Sequence, residues 1–156
     1  MTKSIITANW ETSMADAHAL MKKSKIRHLP VTDDEGSLIG ILSDRDVARA
    51  MKSTISIDDS SPGLYVEADE FDPLDRVRHY MSWPVKTVSR FTEVGAVAAE
   101  MIKHKISAVM VVEGDAMQGI ITTEDLLKLL VDMPSKAEKH FDLNSIIHAL
   151  VGEKLT

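Results

Sequence analysis

The sequence predicts a mixed α/β (α+β) fold of two pseudo-symmetric units, each helix–strand–strand–helix, packed face to face with an extra C-terminal helix. Three observations predict it. The chain repeats itself at an offset of 80 residues; within each copy, helical spacing of apolar residues gives way to short apolar runs; and a polar turn separates those runs. Thr7, Thr12, Ala19 and Met21 meet Thr87, Thr92, Ala99 and Met101, while Lys23, Lys25, Ile26 and Val31 meet Lys103, Lys105, Ile106 and Val111. After loops that differ by one residue, Gly40, Ile41 and Asp46 meet Gly119, Ile120 and Asp125. One such unit leaves a sheet face and two helix stripes uncovered, so the copies are expected to cover each other.

The first helix of each copy is expected to open at Thr12 or Thr92, with Ser13 and Asp16 offering a competing cap in the first copy. Met14, Ala17 and Met21, and Val94, Val97 and Met101, lie at helical spacing. The last turns are basic, with Lys22, Lys23 and Lys25 in one copy and Lys103 and Lys105 in the other, as the helix dipole favours. Strands are expected over 26–31 and 38–42, and over 106–112 and 117–121, with hairpin turns at 33–36 and 113–115. A second helix opens at Ser43 or Thr122 and carries Val47, Ala48 and Met51, or Leu126, Leu127 and Leu130. The domain bounds expected are 1–51, 76–131 and a terminal segment 132–156, in which Leu143, Ile146, Ile147, Leu150 and Val151 form an amphipathic helix. Residues 52–75 hold many acids against Lys52 alone and are expected to be a linker, with a short edge strand from Leu64 and a brief helix over 74–81.

Composition removes whole classes of function. The 156 residues are 44% hydrophobic and 27% charged, ordinary values for a globular chain. A net charge of −6 without a basic run is a poor match to nucleic acid or an anionic membrane. No apolar run approaches the roughly 20 residues that span a bilayer, and the first ten residues lack a signal-like apolar core, so a cytoplasmic location is expected. Cysteine is absent, which excludes disulfides, thiolate metal sites and cysteine nucleophiles. The six histidines include no His-x-x-x-His pair, Ile120 and Ile121 stand where a Walker-type loop needs Lys and Ser/Thr, and no carboxylates sit in a catalytic frame. No metal site and no catalytic residues are expected. Trp10 and Trp83 are expected to pack.

The repeated residues carry a chemistry. Ser43-x-x-Asp46 and Thr122-x-x-Asp125 fall where a strand ends and a helix begins, a place where free amides attract anions. The hydroxyl can meet a phosphate oxygen, and the acid can accept from ribose hydroxyls. The same spacing is a near-relative of the capping box, which needs no ligand. Arg45 is the sole cation within either motif, and Arg is the side chain suited to forked contact with a phosphate.

Ile26-Arg27-His28-Leu29-Pro30-Val31, the run from Gly40 to Asp46, Met81-Ser82-Trp83-Pro84 and the run from Gly119 to Asp125 together resemble the CBS-domain family. The whole chain is similar to a tandem CBS pair, a Bateman module, the resemblance covering about residues 4–51 and 77–131. It implies a non-enzymatic regulatory module that binds an adenine nucleotide, AMP or ATP in type, between the paired copies. The adenine would then lie against Thr7, Ala8, His28, Leu29 and Pro30, or against Thr87, Val88, Ser107, Ala108, Val109 and Met110. Two modules of the family often associate into a disc, and uncovered helix stripes here also point to a homodimer. A regulated target is expected to be another, unidentified protein. The competing expectation is a structural or protein-interaction module whose clefts are empty or hold something other than a nucleotide.

Overall fold

The computed structural model describes residues 5–57 and 65–132. The chain divides into two compact units, residues 1–123 and 124–156. The first half of the larger unit runs β1 (Ala8–Asn9), α1 (Met14–Ser24), β2 (His28–Thr32), β3 (Leu38–Ser43) and α2 (Asp44–Ala50). A two-stranded segment follows, β4 (Lys52–Ile57) and β5 (Tyr65–Glu70), and then a 3₁₀ turn at Val77–His79. The second half repeats the first as β6 (Thr87–Ser89), α3 (Val94–His104), β7 (Ala108–Glu113), β8 (Ala116–Thr122) and α4 (Thr123–Asp132). Most of α4 belongs to the smaller unit, and the amphipathic helix expected over 143–151 lies outside the described residues.

The two halves build the same sheet. In the first, β2 lies between a parallel β1 and an antiparallel β3, with Ala8 opposite Val31 and His28 opposite Ser43. In the second, β7 lies between β6 and β8, with Thr87 opposite Met110 and Ala108 opposite Thr122. A register shift falls at the same place in each, between Val31 and Thr32 and between Val111 and Val112. The central strands are buried and read as continuous apolar runs, the pattern of strands covered on both faces. Met14, Ala17 and Met21 of α1 close on Leu29, Val31 and Leu42, with Val47 and Ala50 of α2 in the same core.

Capping distinguishes the copies. Ser13, not Thr12, caps α1: its hydroxyl accepts from the Asp16 N–H at 3.1 Å and donates to the Asp16 carboxylate at 2.6 Å. The second copy carries Glu93 at the equivalent place and α3 starts there without a side-chain cap, so Thr92 does not fill the expected role. Both helices end on a lysine in the left-handed region, Lys25 and Lys105, each with φ near 54°. Ile26 and Ile106 then return their N–H groups to the carbonyls of Met21 and Met101, closing the last turn.

The segment between the halves is more structured than a linker. Strands β4 and β5 pair antiparallel from Lys52 opposite Glu70 to Ile57 opposite Tyr65. The run Thr54-Ile55-Ser56-Ile57 has the alternation and β-branching a strand favours, which the acidic composition of the segment obscures. The expected helix over 74–81 is cut to a single turn, because its neighbours are drawn into the first half. Val77 and Arg78 donate to the carbonyls of Thr12 and Trp10, and Ser82 exchanges two main-chain bonds with Ile41 at 2.9 and 3.1 Å. Val77 is fully buried in the first-half core, and Met81 lies over Gly40.

A Cβ on Gly40 would fall inside contact distance of the Met81 sulfur. Gly40→Val is therefore expected to destabilise the protein by roughly 1–3 kcal/mol through overpacking. Urea denaturation of the two proteins measures it, and truncating Met81 to Ala in the same chain should recover part of the loss.

Candidate functional site

His28 begins β2 and Ser43 ends β3, and the antiparallel register sets them side by side at one end of the first sheet. The chain turns there into α2, whose first turn carries Arg45 and Asp46. Ser43 and Asp46 form a closed capping box. The Ser43 N–H and hydroxyl both donate to Asp46 Oδ2, at 2.8 and 2.6 Å, while the Asp46 N–H donates to Ser43 Oγ at 3.4 Å. The Arg49 guanidinium, one turn on, pairs with Asp46 Oδ1. Asp46 is 5% exposed, so these partners hold a buried charge that would otherwise be unsatisfied.

Free amides were the expected anion-binding element at this helix start, and the structure corrects that. The Asp44 N–H donates to the Arg27 carbonyl at 3.0 Å, the Arg45 N–H to the Asp44 carboxylate at 2.9 Å, and the Asp46 N–H to Ser43. The first donors of α2 are spent locally, and any attraction for an anion falls to side-chain cations.

Those cations come from both halves. The Ile41–Ser82 bridge brings Pro84, Val85 and Lys86 beside the end of β3. Lys105, Ile106, Ser107 and Ala108, leading into β7, form the opposite side, with the Met110 N–H on the Lys86 carbonyl at 3.0 Å. His28 Nε2 and Ser107 Oγ, 2.8 Å apart, join the halves directly. The resulting cavity of about 400 Å³ is lined by Arg45, Arg49, Lys86 and Lys105, with Asp46 the one carboxylate among the described residues that line it. Val85, Ile41, Ile106 and Ala108 give it an apolar wall.

Six of the residues singled out from the sequence line this cavity: His28, Ser43, Arg45, Asp46, Ser107 and Ala108. Leu29, Pro30, Val109 and Met110 turn their side chains into the cores, so only their main chain could meet a ligand. Ala8 is buried in β1, and Thr7 precedes it; Thr87 and Val88 lie in β6, just beyond Lys86. Thr122 ends β8 opposite Ala108, and the N–H of Thr123 donates to the Ser107 carbonyl, as that of Asp44 does to Arg27 in the first half. Asp125 lies in the first turn of α4, in the smaller unit. The residues missed from the sequence are Arg49, Lys86 and Lys105. Arg49, at i+3 from Asp46 on a helix, was the findable one. Trp10 packs at the first core with the Arg78 guanidinium 5.6 Å from its ring, whereas Trp83, expected to pack, is 74% exposed.

The family model for the CBS domain matches residues 1–53 and 77–132. The chain belongs to the CBS domain family. A CBS domain-containing protein of Dictyostelium discoideum is 30% identical over 132 residues, covering 84% of this chain and 88% of that one. An uncharacterized Methanocaldococcus jannaschii protein, MJ1404, is 29% identical over 153 residues, and this CBS chain spans 34% of its length. Among solved structures, the CBS domain pair of protein MJ0100, in complex with 5′-methylthioadenosine and S-adenosyl-L-methionine, superposes with a TM-score of 0.66. It is 29% identical and covers 84% of this chain and 91% of that one. The two three-stranded sheets with their flanking helices are thus the architecture of a CBS pair. Among the described residues, no helix is long and apolar enough to cross a membrane.

Burial holds the pKa of His28 below its ordinary value of 6.5; Arg27 and Arg45 act in the same direction, and Asp44 and Asp46 oppose them. The unfolded chain therefore takes up this proton first as pH falls, and stability present above pH 6.5 is lost as pH drops through the folded-state pKa. The melting temperature is expected to fall between about pH 7.5 and 5.5, and His28→Gln should flatten that slope. An unchanged slope in the variant would remove His28 as its source.

Proposed function

We propose that this CBS pair is a regulatory sensing module that binds a phosphorylated adenosine, AMP or ATP in type, in the cavity between its two halves. One observation carries the reading: among the described residues, four cations and a single carboxylate line a small-molecule-sized cavity, in a chain whose net charge is −6. Such a surplus suits a phosphate. The solved CBS domain pair of MJ0100 holds two adenosine compounds without phosphate, one of them a sulfonium cation, which supports the adenosyl class. The charge of the present cavity argues for the phosphorylated member of that class.

Arg45 supplies forked contact to the phosphate, and Lys86 and Lys105 add point charges from the second half. Val85, Ile106 and Ala108 offer apolar surface for the base. No catalytic step is assigned to the chain. Ligand would favour whichever arrangement of the halves closes on it, to the extent of its difference in affinity between states. A cytoplasmic homodimer acting on a separate regulated protein belongs to the same proposal. Bounds of 1–51 and 76–131 for the two CBS units also belong to it.

A second reading has an observation of its own. Ser43, Asp46 and Arg49 satisfy one another without ligand, which suits a structural or protein-interaction module with an empty cleft.

A thermal-shift and calorimetric panel of AMP, ADP, ATP, NAD and S-adenosylmethionine separates the two. AMP or ATP is expected to raise the melting temperature most, and Arg45→Ala to weaken that ligand by about 10–100-fold, the worth of a charge-assisted hydrogen bond. Tighter binding of S-adenosylmethionine, or full affinity in the Arg45 variant, would overturn the phosphate assignment. Silence across the panel at millimolar ligand would favour the interaction module.

A further inference from the structure

We infer that Arg49 makes the cavity selective for phosphorylated over unphosphorylated nucleosides, by holding Asp46 until a phosphate draws it away. The inference rests on the nucleotide reading above and adds a specificity-determining residue to it.

Asp46 is the carboxylate among the described lining residues that can accept from a ribose diol, and three of its roughly four acceptor sites are taken, which leaves too few for both hydroxyls. Oδ2 receives both donors of Ser43, and Oδ1 receives Arg49. The two donors differ in how easily they leave. Those of Ser43 are part of the helix cap, and one is main chain, so displacing them would unwind the start of α2. Arg49 reaches in from a side chain that is 66% exposed, and its long stem can swing without disturbing the fold. Both hydroxyls of the ribose can therefore be accepted only when Arg49 gives way.

The exchange has a different balance for different ligands. A nucleoside offers Asp46 two neutral hydroxyls in place of a guanidinium, and leaves Arg49 with no anion. A buried carboxylate that loses its counter-charge is strongly disfavoured, so the exchange stalls. A nucleotide brings its own anion into the same cavity, and Arg49, which lines that cavity, can pass from carboxylate to phosphate. One ion pair then replaces another, and the ribose contact is gained. Arg45 stands differently: it sits between Ser43 and Asp46 in the first turn but makes no pair with Asp46 among the described contacts, so its loss removes phosphate attraction alone.

The test measures AMP and adenosine binding by calorimetry for the wild type, Arg49→Ala, Arg49→Gln and Arg45→Ala. The wild type is expected to favour AMP over adenosine by about 100-fold or more, from two charge-assisted contacts. In both Arg49 variants AMP should weaken about tenfold while adenosine tightens, because no guanidinium holds Asp46 and the ribose donors displace at most a neutral amide. Arg45→Ala should weaken AMP and leave adenosine unchanged. The Gln variant keeps a neutral donor for Asp46 and secures the comparison if Arg49→Ala does not fold. Adenosine that binds no more tightly to either Arg49 variant would overturn the role of Arg49 and leave the nucleotide reading standing. A wild type that binds neither compound would overturn both.

Discussion

Two main-chain hydrogen bonds between Ile41 and Ser82 set the position of everything that matters in the cavity. They attach the approach to the second half to the edge of β3, two residues before that strand ends at Ser43. Without that attachment, Lys86 would have no fixed relation to Arg45, and the cations of the two halves would not converge. Main-chain bonds of this kind are indifferent to side chains, so the attachment tolerates divergence between the copies while holding the geometry. Burial of Val77 and the contact of Met81 with Gly40 exclude water from the same junction and protect those bonds.

The duplication explains why the site is asymmetric although the fold is not. Both halves place a hydroxyl residue at the end of their last strand, and both use the next amide to reach back to the residue before their central strand. Their side chains have gone separate ways. The first half contributes the closed Ser43–Asp46 cap, Arg45 and Arg49; the second contributes Lys86, Lys105 and Ser107. Pairing His28 with Ser107 ties the halves with a neutral imidazole, which leaves the positive charge of the cavity to groups that cannot lose it near neutral pH.

Much of this was legible in the chain. Burial of Met14, Ala17 and Met21, the two hairpins and the Ser43–Asp46 pair followed from spacing alone, because local periodicity and capping chemistry decide them. Glu93 in place of Thr92 shows where that reasoning ends: either residue can precede a helix, and α3 starts at the one without a capping hydrogen bond. The edge strand expected from Leu64 is β5, whereas its partner β4 was hidden in an acidic segment, since composition speaks for solvation and says little about cross-strand partners. The convergence of Arg45, Lys86 and Lys105 could not be read from sequence at all. Each is an ordinary polar residue in its own segment, and only the crossing of the halves makes them neighbours.

The left-handed lysine at the end of α3 carries one more implication. Helices commonly stop on glycine at such a position, because a side chain there crowds its own carbonyl. Both copies keep lysine, and Lys105 lines the cavity while Lys25 does not. The bend that halts the helix thus also sets where Lys105 joins the cavity lining. A punctuation mark of the backbone in one half is thereby part of the cavity wall, while its counterpart in the first half, Lys25, lies outside that lining.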